Sequence, residues 1–205
     1  MAEENKKYFH FTLGPVQGFV AQARRTRDFW AGSFLLSWLA GVAMAEVKRQ
    51  KGEINFPTPA KGYLDWITTG QSEDTTPPRQ GGIPNRFKAF KAEVPADFDG
   101  ALVVATVRAA WLALADHIWE QDQLADIPSA ESRAIWVRQH SHFWDMSWAL
   151  TEDEKASDLI DKRKNWRAHF TPDEPGVKCM VMDGWQELSG VSRPGQLNRG
   201  KNTTP

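Results

Sequence analysis

Three arginines, Arg24, Arg25 and Arg27, stand within four consecutive positions, and the planar guanidinium fork is the side chain best matched to phosphate oxygens. Arg24 and Arg27 are three residues apart, so on a helix they share a face. The first 51 residues hold eight basic side chains against four acidic ones, on a chain whose formal net charge is −1. The chemistry this predicts is contact with RNA phosphates or with a nucleoside triphosphate. The plainer alternative is a solvated face with a salt bridge to Asp28. Just upstream, Gly14-Pro15-Val16-Gln17 leads from a strand into a helix and presents backbone N–H groups suited to an anion, although an ordinary strand-to-helix turn has the same sequence character.

The other chemically able side chains read as structural. His140 and His142 are two apart, which on a helix turns them to different sides, so one metal ion is not held by both. Asp153, Glu154, Asp158 and Asp161 precede Lys162, Arg163 and Lys164, an order that suits the helix dipole and needs no chemistry. These patterns predict no catalytic residue and no metal site. Of ten tryptophans, Trp30, Trp38, Trp111 and Trp136 fall at helix-core spacing. Trp185 lies in a glycine-flanked segment without a helix to pack in, and is the candidate partner contact, since tryptophan is enriched at interface hot spots.

Composition bounds the class. At 205 residues the chain suits one domain with an appendage. One cysteine excludes an intramolecular disulfide framework and a zinc site built from cysteine pairs, which fits a reducing cytoplasm. The longest nearly apolar stretch, Phe34 to Ala45, is about half of the roughly 20 residues that cross a bilayer, so no span is expected. The acidic start Met1-Ala2-Glu3-Glu4 argues against a secretory signal.

The elements that must position these residues follow from periodicity. Tyr8 to Leu13 reads as a strand, stopped at Gly14-Pro15, with proline suited to the first helical position. A long helical pattern follows, interrupted near Ala31-Gly32-Ser33. Ile54 to Pro57 reads as a second strand, Lys61 to Gly82 as a loop, and Phe87 to Val94 as a third strand. Leu102, Thr106, Val107, Ala110, Trp111, Leu114 and Ile118 mark one face of a helix capped by Asp97 or Asp99. After Asp126 to Ser129 comes a third helix reaching about Leu150, its last residues equally compatible with extended chain. Thr151-Glu152-Asp153-Glu154 matches a capping box opening a charged helix to about Arg167. No solenoid repeat is present. Strand, helix, strand, strand, helix and a further element is the order of a ferredoxin-like α+β sandwich.

The run from Phe11 to Leu36, with Gly14-Pro15-Val16-Gln17, Ala23-Arg24-Arg25-Thr26-Arg27-Asp28, Trp30-Ala31-Gly32-Ser33 and Leu35-Leu36, closely resembles the large palm-domain subunit (Cas ten) of type III CRISPR effector complexes, in its type III-B or Cmr branch. Phe56-Pro57, Pro84-Asn85-Arg86-Phe87, Gln139 with Phe143-Trp144 and Trp148, Lys164-Asn165 with Arg167, and Lys178-Cys179 followed by Gly184 and Leu188-Ser189-Gly190 echo family positions in the same order. The resemblance covers about residues 8 to 190.

It implies that residues 1–150 form a ferredoxin-like (palm or cyclase-like) first palm with additional helices. Residues 151–190 would then be a charged helix and a degenerate zinc-ribbon-like segment, and 191–205 a disordered polar tail. It further implies that Gly14, Gln17, Gly32 and Ser33 face a nucleotide, and that the partners are other type III subunits, guide RNA and, indirectly, target RNA. The family makes cyclic oligoadenylates from ATP through a Gly-Gly-Asp-Asp hairpin in a second palm. Here there is no Gly-Gly-Asp-Asp and no His-Asp dipeptide, and the position of a zinc-binding Cys-x-x-Cys reads Cys179-Met180-Val181-Met182, a poor zinc set. The expected protein is a first palm that stops before the catalytic one, as a split or truncated subunit or as part of a longer chain. By this resemblance it would be a non-catalytic module of an antiviral ribonucleoprotein that binds neighbouring subunits and guide RNA in the cytoplasm, away from membranes. The alternative is the nucleotide-pocket half of a cyclic oligoadenylate synthetase, which takes ATP once a second palm completes it.

Overall fold

A computed structural model describes residues 7–71, 79–83, 90–127, 129–156, 158–163, 174–182 and 184–191. The chain divides into two compact units, residues 1–111 with 144–168 and residues 112–143 with 169–205.

The first unit is organised by β1 (Lys7–Gly14). Phe9, Phe11 and Leu13 fill one face of this strand and His10 and Thr12 the other, all at most 6% exposed, so it must be an inner strand covered on both sides. It pairs antiparallel with β3 (Phe90–Val94) and with β4 (Asp145–Thr151), and β3 pairs antiparallel with β2 (Glu53–Phe56), giving the order β2-β3-β1-β4. Phe9 stands opposite Ala92 and Leu150, and Phe11 opposite Phe90 and Trp148. On the other face His10 Nε2 lies 3.0 Å from Thr151 Oγ1. The fold class is α+β, as expected.

The helices that cover this sheet differ in detail from the sequence reading. The helical stretch after Pro15 is broken at 21–25 rather than near Gly32: α1 is Val16–Val20 and α2 is Thr26–Arg49. Pro15 is the residue before α1, not its first helical one. Leu36, Leu39, Ala40, Ala43 and Val47 recur at three- and four-residue steps along α2, each at most 2% exposed; burying each leucine contributes roughly 1.5–3 kcal/mol. The segment read as loop contains α3 (Tyr63–Thr69), set between Gly62 and Gly70, both left-handed. It packs so closely on α2 that a Cβ on Gly41 would sit 2.0 Å from Ile67 Cδ1. Ser37 Oγ, 2.9 Å from Tyr63 Oη, also accepts from Ile83 N at 2.9 Å, so α2, α3 and residue 83 are tied through one hydroxyl.

Helix α4 (Gly100–Gln121) starts as expected at Asp99, whose Oδ1 accepts from Ala101 N at 2.8 Å. Of the expected face Val107 is buried, but the stripe also takes in Val103 and Ala115, and Leu102 is 38% exposed. Gln50, at the end of α2, exchanges hydrogen bonds with the backbone of Asp99, donating at 3.1 Å and accepting at 2.8 Å. Glu46 on α2 accepts two bonds from Arg49 at 2.7 Å and one from Gln50 at 2.9 Å. Desolvation pushes its carboxyl up, but these donors and the Arg49 charge outweigh burial and hold it below 4.5.

The expected capping box at Thr151 does not form, because Thr151 ends β4 and its hydroxyl donates to Asp153 O at 2.8 Å. In the second unit, α5 (Ser132–Ser141) is shorter than the expected third helix. The chain to about Leu150 is the extended alternative, β4. The charged helix is α6 (Asp158–Arg163), which lies against β4 and β1. Both α2 and α4 are long and apolar enough to cross a membrane by length and composition alone, which is weak evidence for a span and does not overturn the expectation of none. In α2 the apolar half is core. The expected tail at 191–205 lies, past Val191, outside the described residues.

Candidate phosphate-binding site

The sheet ends at Gly14, the chain turns through Pro15 into the single turn of α1, passes through 21–25 and enters α2. Between α1 and the first turns of α2 lies an open cavity of about 720 Å³. Gln17 lines it from α1, Arg24 and Arg25 from the connection, and Phe29 and Ser33 from α2, with Val16 and Val20 as apolar wall. The start of α2 is held by Asp28, whose Oδ2 accepts from Arg25 N at 3.1 Å while Asp28 N and Phe29 N donate to Arg25 O at 2.9 and 3.1 Å. Arg25 is extended there, with φ −130° and ψ 155°, which ends any continuation of α1 and fixes where the arginine side chains leave the backbone.

The structure brings four of the seven predicted ligand-facing residues to this one cavity: Gln17, Ser33, Arg24 and Arg25. Arg27 does not line it; its Nε is 3.6 Å from Asp28 Oδ1, on a side chain 76% exposed. That is the salt bridge the plainer reading anticipated, and at such exposure it restrains Arg27 little. Gly14 is buried and pairs with Asp145 of β4. Gly32 has a packing role: a Cβ there would stand 3.3 Å from Phe19 Cε1, and Phe19 in turn meets Trp144 edge-on at 5.1 Å. The glycine lets α1 close onto α2 and so sets the depth of the cavity. The residue that sequence reasoning missed is Phe29, 55% exposed. Its spacing was the available signal, since it is four residues after Arg25 and four before Ser33, on one helical ridge.

Trp185, the expected partner contact, is 8% exposed and stacks on Phe143 with centroids 5.9 Å apart. Its ring is core of the second unit, and a surface anchor needs exposed area. Next to it is the best-built polar cluster in this unit. Glu174, 6% exposed, accepts from Arg138 Nε at 2.9 Å and Gln139 Nε2 at 3.1 Å, and Gln139 also donates to Gln186 O at 2.8 Å. Desolvation raises the Glu174 carboxyl, but the Gln139 and Arg138 donors prevail and hold it below 4.5. His140 Nδ1–H donates to Trp136 O at 2.6 Å, and burial holds the imidazole below 6.5. Cys179 Sγ accepts from Val181 N and Met182 N, both at 3.4 Å, in a hairpin where Cys179 N bonds Trp185 O and Glu187 N bonds Val177 O. Arg138 and Gln139 link α5 to the 174–191 segment, whereas the His140 bond stays within α5 and the Cys179 bonds within the hairpin.

The family described as CRISPR-associated protein Cmr2, N-terminal, matches residues 8–116, from β1 through most of α4 and including every residue of the cavity. Among curated proteins none matches the chain. With just over half of its length inside that match, the chain belongs to the Cmr2 N-terminal family, a component of the multi-subunit type III CRISPR effectors of antiviral defence.

Proposed function

We propose that this chain is a non-catalytic palm-like module of a type III CRISPR ribonucleoprotein, which docks neighbouring subunits and holds guide RNA by its phosphates through Arg24, Arg25 and Arg27. The observation that carries the reading is the convergence of Arg24 and Arg25 with Gln17 and Ser33 around one open cavity, with Arg27, outside that lining, exposed on the first turn of α2. Guanidinium groups there meet phosphate oxygens, and the two uncharged side chains hydrogen-bond a ribose or base edge. The element sequence strand, helices, strand, strand, helices, strand, with the short α3 inserted between the second and third strands, and the sheet order β2-β3-β1-β4 support a ferredoxin-like palm.

The test is fluorescence anisotropy of a labelled guide-like RNA across salt. Each phosphate contact on a single strand contributes about 0.7 to the slope of log K against log salt. Loss of three contacts therefore lowers the slope by about 2. Between 50 and 200 mM salt the wild type should lose about 15-fold more affinity than Arg24→Ala/Arg25→Ala/Arg27→Ala. An unchanged slope in a folded triple variant overturns the reading. Calorimetry with ATP on the same proteins separates RNA from free nucleotide as the occupant.

A further inference from the structure

The proposed phosphate contacts leave two rings unexplained. Phe29 and Trp30 are 55% and 50% exposed, on the first two turns of α2, where residues 26–31 are all exposed, so Trp30, despite its core spacing, is not core. Exposed aromatic pairs are unusual on a soluble surface because they forgo the burial that favours them. The two rings lie on adjacent ridges. Arg25, Phe29 and Ser33 are spaced four apart and line the cavity together. Arg27, Trp30 and Phe34 form the neighbouring ridge, and the Trp30 and Phe34 rings already stack with centroids 5.6 Å apart and planes 24° from parallel. Phe29 and Trp30 thus each stand three or four residues from an arginine, Arg25 and Arg27. The surrounding segment, residues 21–31, carries three arginines against one aspartate.

An apolar protein partner would match the rings and leave the guanidinium groups to be desolvated. A duplex would meet the arginines but keep its bases stacked inside. Single-stranded RNA matches both, since its phosphates answer the arginines and its unpaired bases answer the rings. We infer that Phe29 and Trp30 are a stacking platform for two unpaired bases of single-stranded RNA whose backbone runs along Arg24, Arg25 and Arg27. Phe29 forms one wall of the cavity, with Gln17 and Ser33 at the edge of the base it holds. Trp30, backed by Phe34, takes the neighbouring base outside it. The inference rests on the phosphate reading above and adds to it the strandedness of the ligand.

The experiment compares the full chain and its variants by anisotropy on three fluorescein-labelled probes. These are a 12-nucleotide mixed-sequence RNA, the same backbone with abasic riboses, and the blunt duplex of the same sequence. Stacking on one ring favours the base-bearing strand over the abasic one by about 5- to 150-fold. The wild type is expected to show at least that ratio and to prefer the single strand over the duplex. Phe29→Leu/Trp30→Leu, which keeps apolar bulk and removes both rings, should bring the ratio close to one with the salt slope unchanged. Trp30→Phe should retain most of it. Circular dichroism of each variant reports folding, and these exposed positions tolerate substitution. A wild type that binds both strands equally, or a double variant that keeps the wild-type ratio, overturns the platform while the arginine-dependent slope leaves the phosphate reading standing. A wild type that binds neither strand overturns both. Rings that prove necessary only for capture of a neighbouring subunit, with RNA ratios unchanged, also overturn the platform, in favour of a protein interface.

Discussion

Replacing Gly32 separates helix propensity from packing and tests whether α1 shapes the site. The Phe19 ring rests on the bare backbone of α2, 3.3 Å from where a Cβ would be, and touches Trp144 edge-on on its far side, the ring planes 65° apart. Alanine asks the ring to give by a few tenths of an ångström. Phe19 can give, because it is half-buried on a helix of five residues. Alanine also removes the penalty for glycine inside a helix, about 1 kcal/mol, so Gly32→Ala is expected to stabilise the chain by up to about that amount. Leucine gains the same propensity but fills the ring's own place. Losing the edge contact removes roughly 0.5–1.5 kcal/mol, and exposing more of Phe19 removes about another 1 kcal/mol. After the propensity gain, Gly32→Leu should be net destabilising by about 1 kcal/mol. Urea denaturation followed by far-ultraviolet circular dichroism measures both values. Since α1 carries Gln17 and two apolar wall residues, RNA affinity should fall several-fold in Gly32→Leu and stay unchanged in Gly32→Ala. A leucine variant as stable as the alanine one, with RNA affinity intact, refutes the packing role given to Gly32.

Three further outcomes follow from single contacts. Ser37→Ala leaves Tyr63 Oη and the buried Ile83 N–H without the hydroxyl that serves both, and a urea midpoint corresponding to a loss of about 1–3 kcal/mol is expected. Asp28→Ala removes the acceptor for Arg25 N and the acid at the α2 start; stability should fall by about 0.5–1 kcal/mol while RNA affinity rises, because one repelling charge beside the arginines is gone. Acid titration should weaken the fold in two steps. His140 is held below 6.5 by burial, so the unfolded chain binds its proton first and stability present above pH 6.5 is lost as pH falls through the lowered value. Glu46 and Glu174 sit below 4.5, so their contribution is complete above pH 4.5 and is lost on further acidification. Melting temperatures against pH should show the first step vanish in His140→Gln; its persistence would sink the assignment.

What the sequence revealed and what it hid have physical causes. β1 was legible because both of its faces are core, so aromatic and β-branched residues dominate it and no charged residue falls between Tyr8 and Leu13. The start of α4 was legible because Asp99 signals it locally and does cap it. The break between α1 and α2 was misplaced to Gly32 because a glycine in a helical run looks like a stop, whereas here it is a contact for Phe19. The true break is set by Asp28 bonding back to Arg25. Helix α3 was invisible in a glycine-, threonine- and proline-rich stretch, since seven residues give too few periods to register, and its stability comes from docking on Gly41 and Ser37. Thr151 had the letters of a capping box, but a strand claimed it first. The arginines of the site were legible from composition. Phe29 was not, because its exposure depends on how far α2 outruns its buried stretch, Leu36 to Val47.

That overrun links the fold to the proposed function. Helix α2 has 24 residues, and its buried positions run from Leu36 to Val47; the core is satisfied by the second half alone. The exposed first turns are held by local interactions instead: the Asp28 carboxylate at the cap, the Phe19 ring on Gly32, and the Trp30–Phe34 stack. A loop in the same place would present the same side chains over a wide range of positions. An extension continuous with a buried helix inherits the rigidity of the core, which favours precise placement of guanidinium and aromatic groups relative to one another. It also uncouples ligand binding from folding, since the residues that would contact RNA contribute little to the buried stripe. Substitutions at Arg24, Arg25, Arg27, Phe29 and Trp30 should therefore move binding with melting temperature nearly constant, whereas Leu39→Ala, deep in the same helix, should lower stability by about 2–5 kcal/mol and leave the affinity of the remaining folded protein unaltered. If the five surface substitutions instead lower the melting temperature as Leu39→Ala does, the extension is part of the core and the division of α2 into a supporting half and a binding half is wrong.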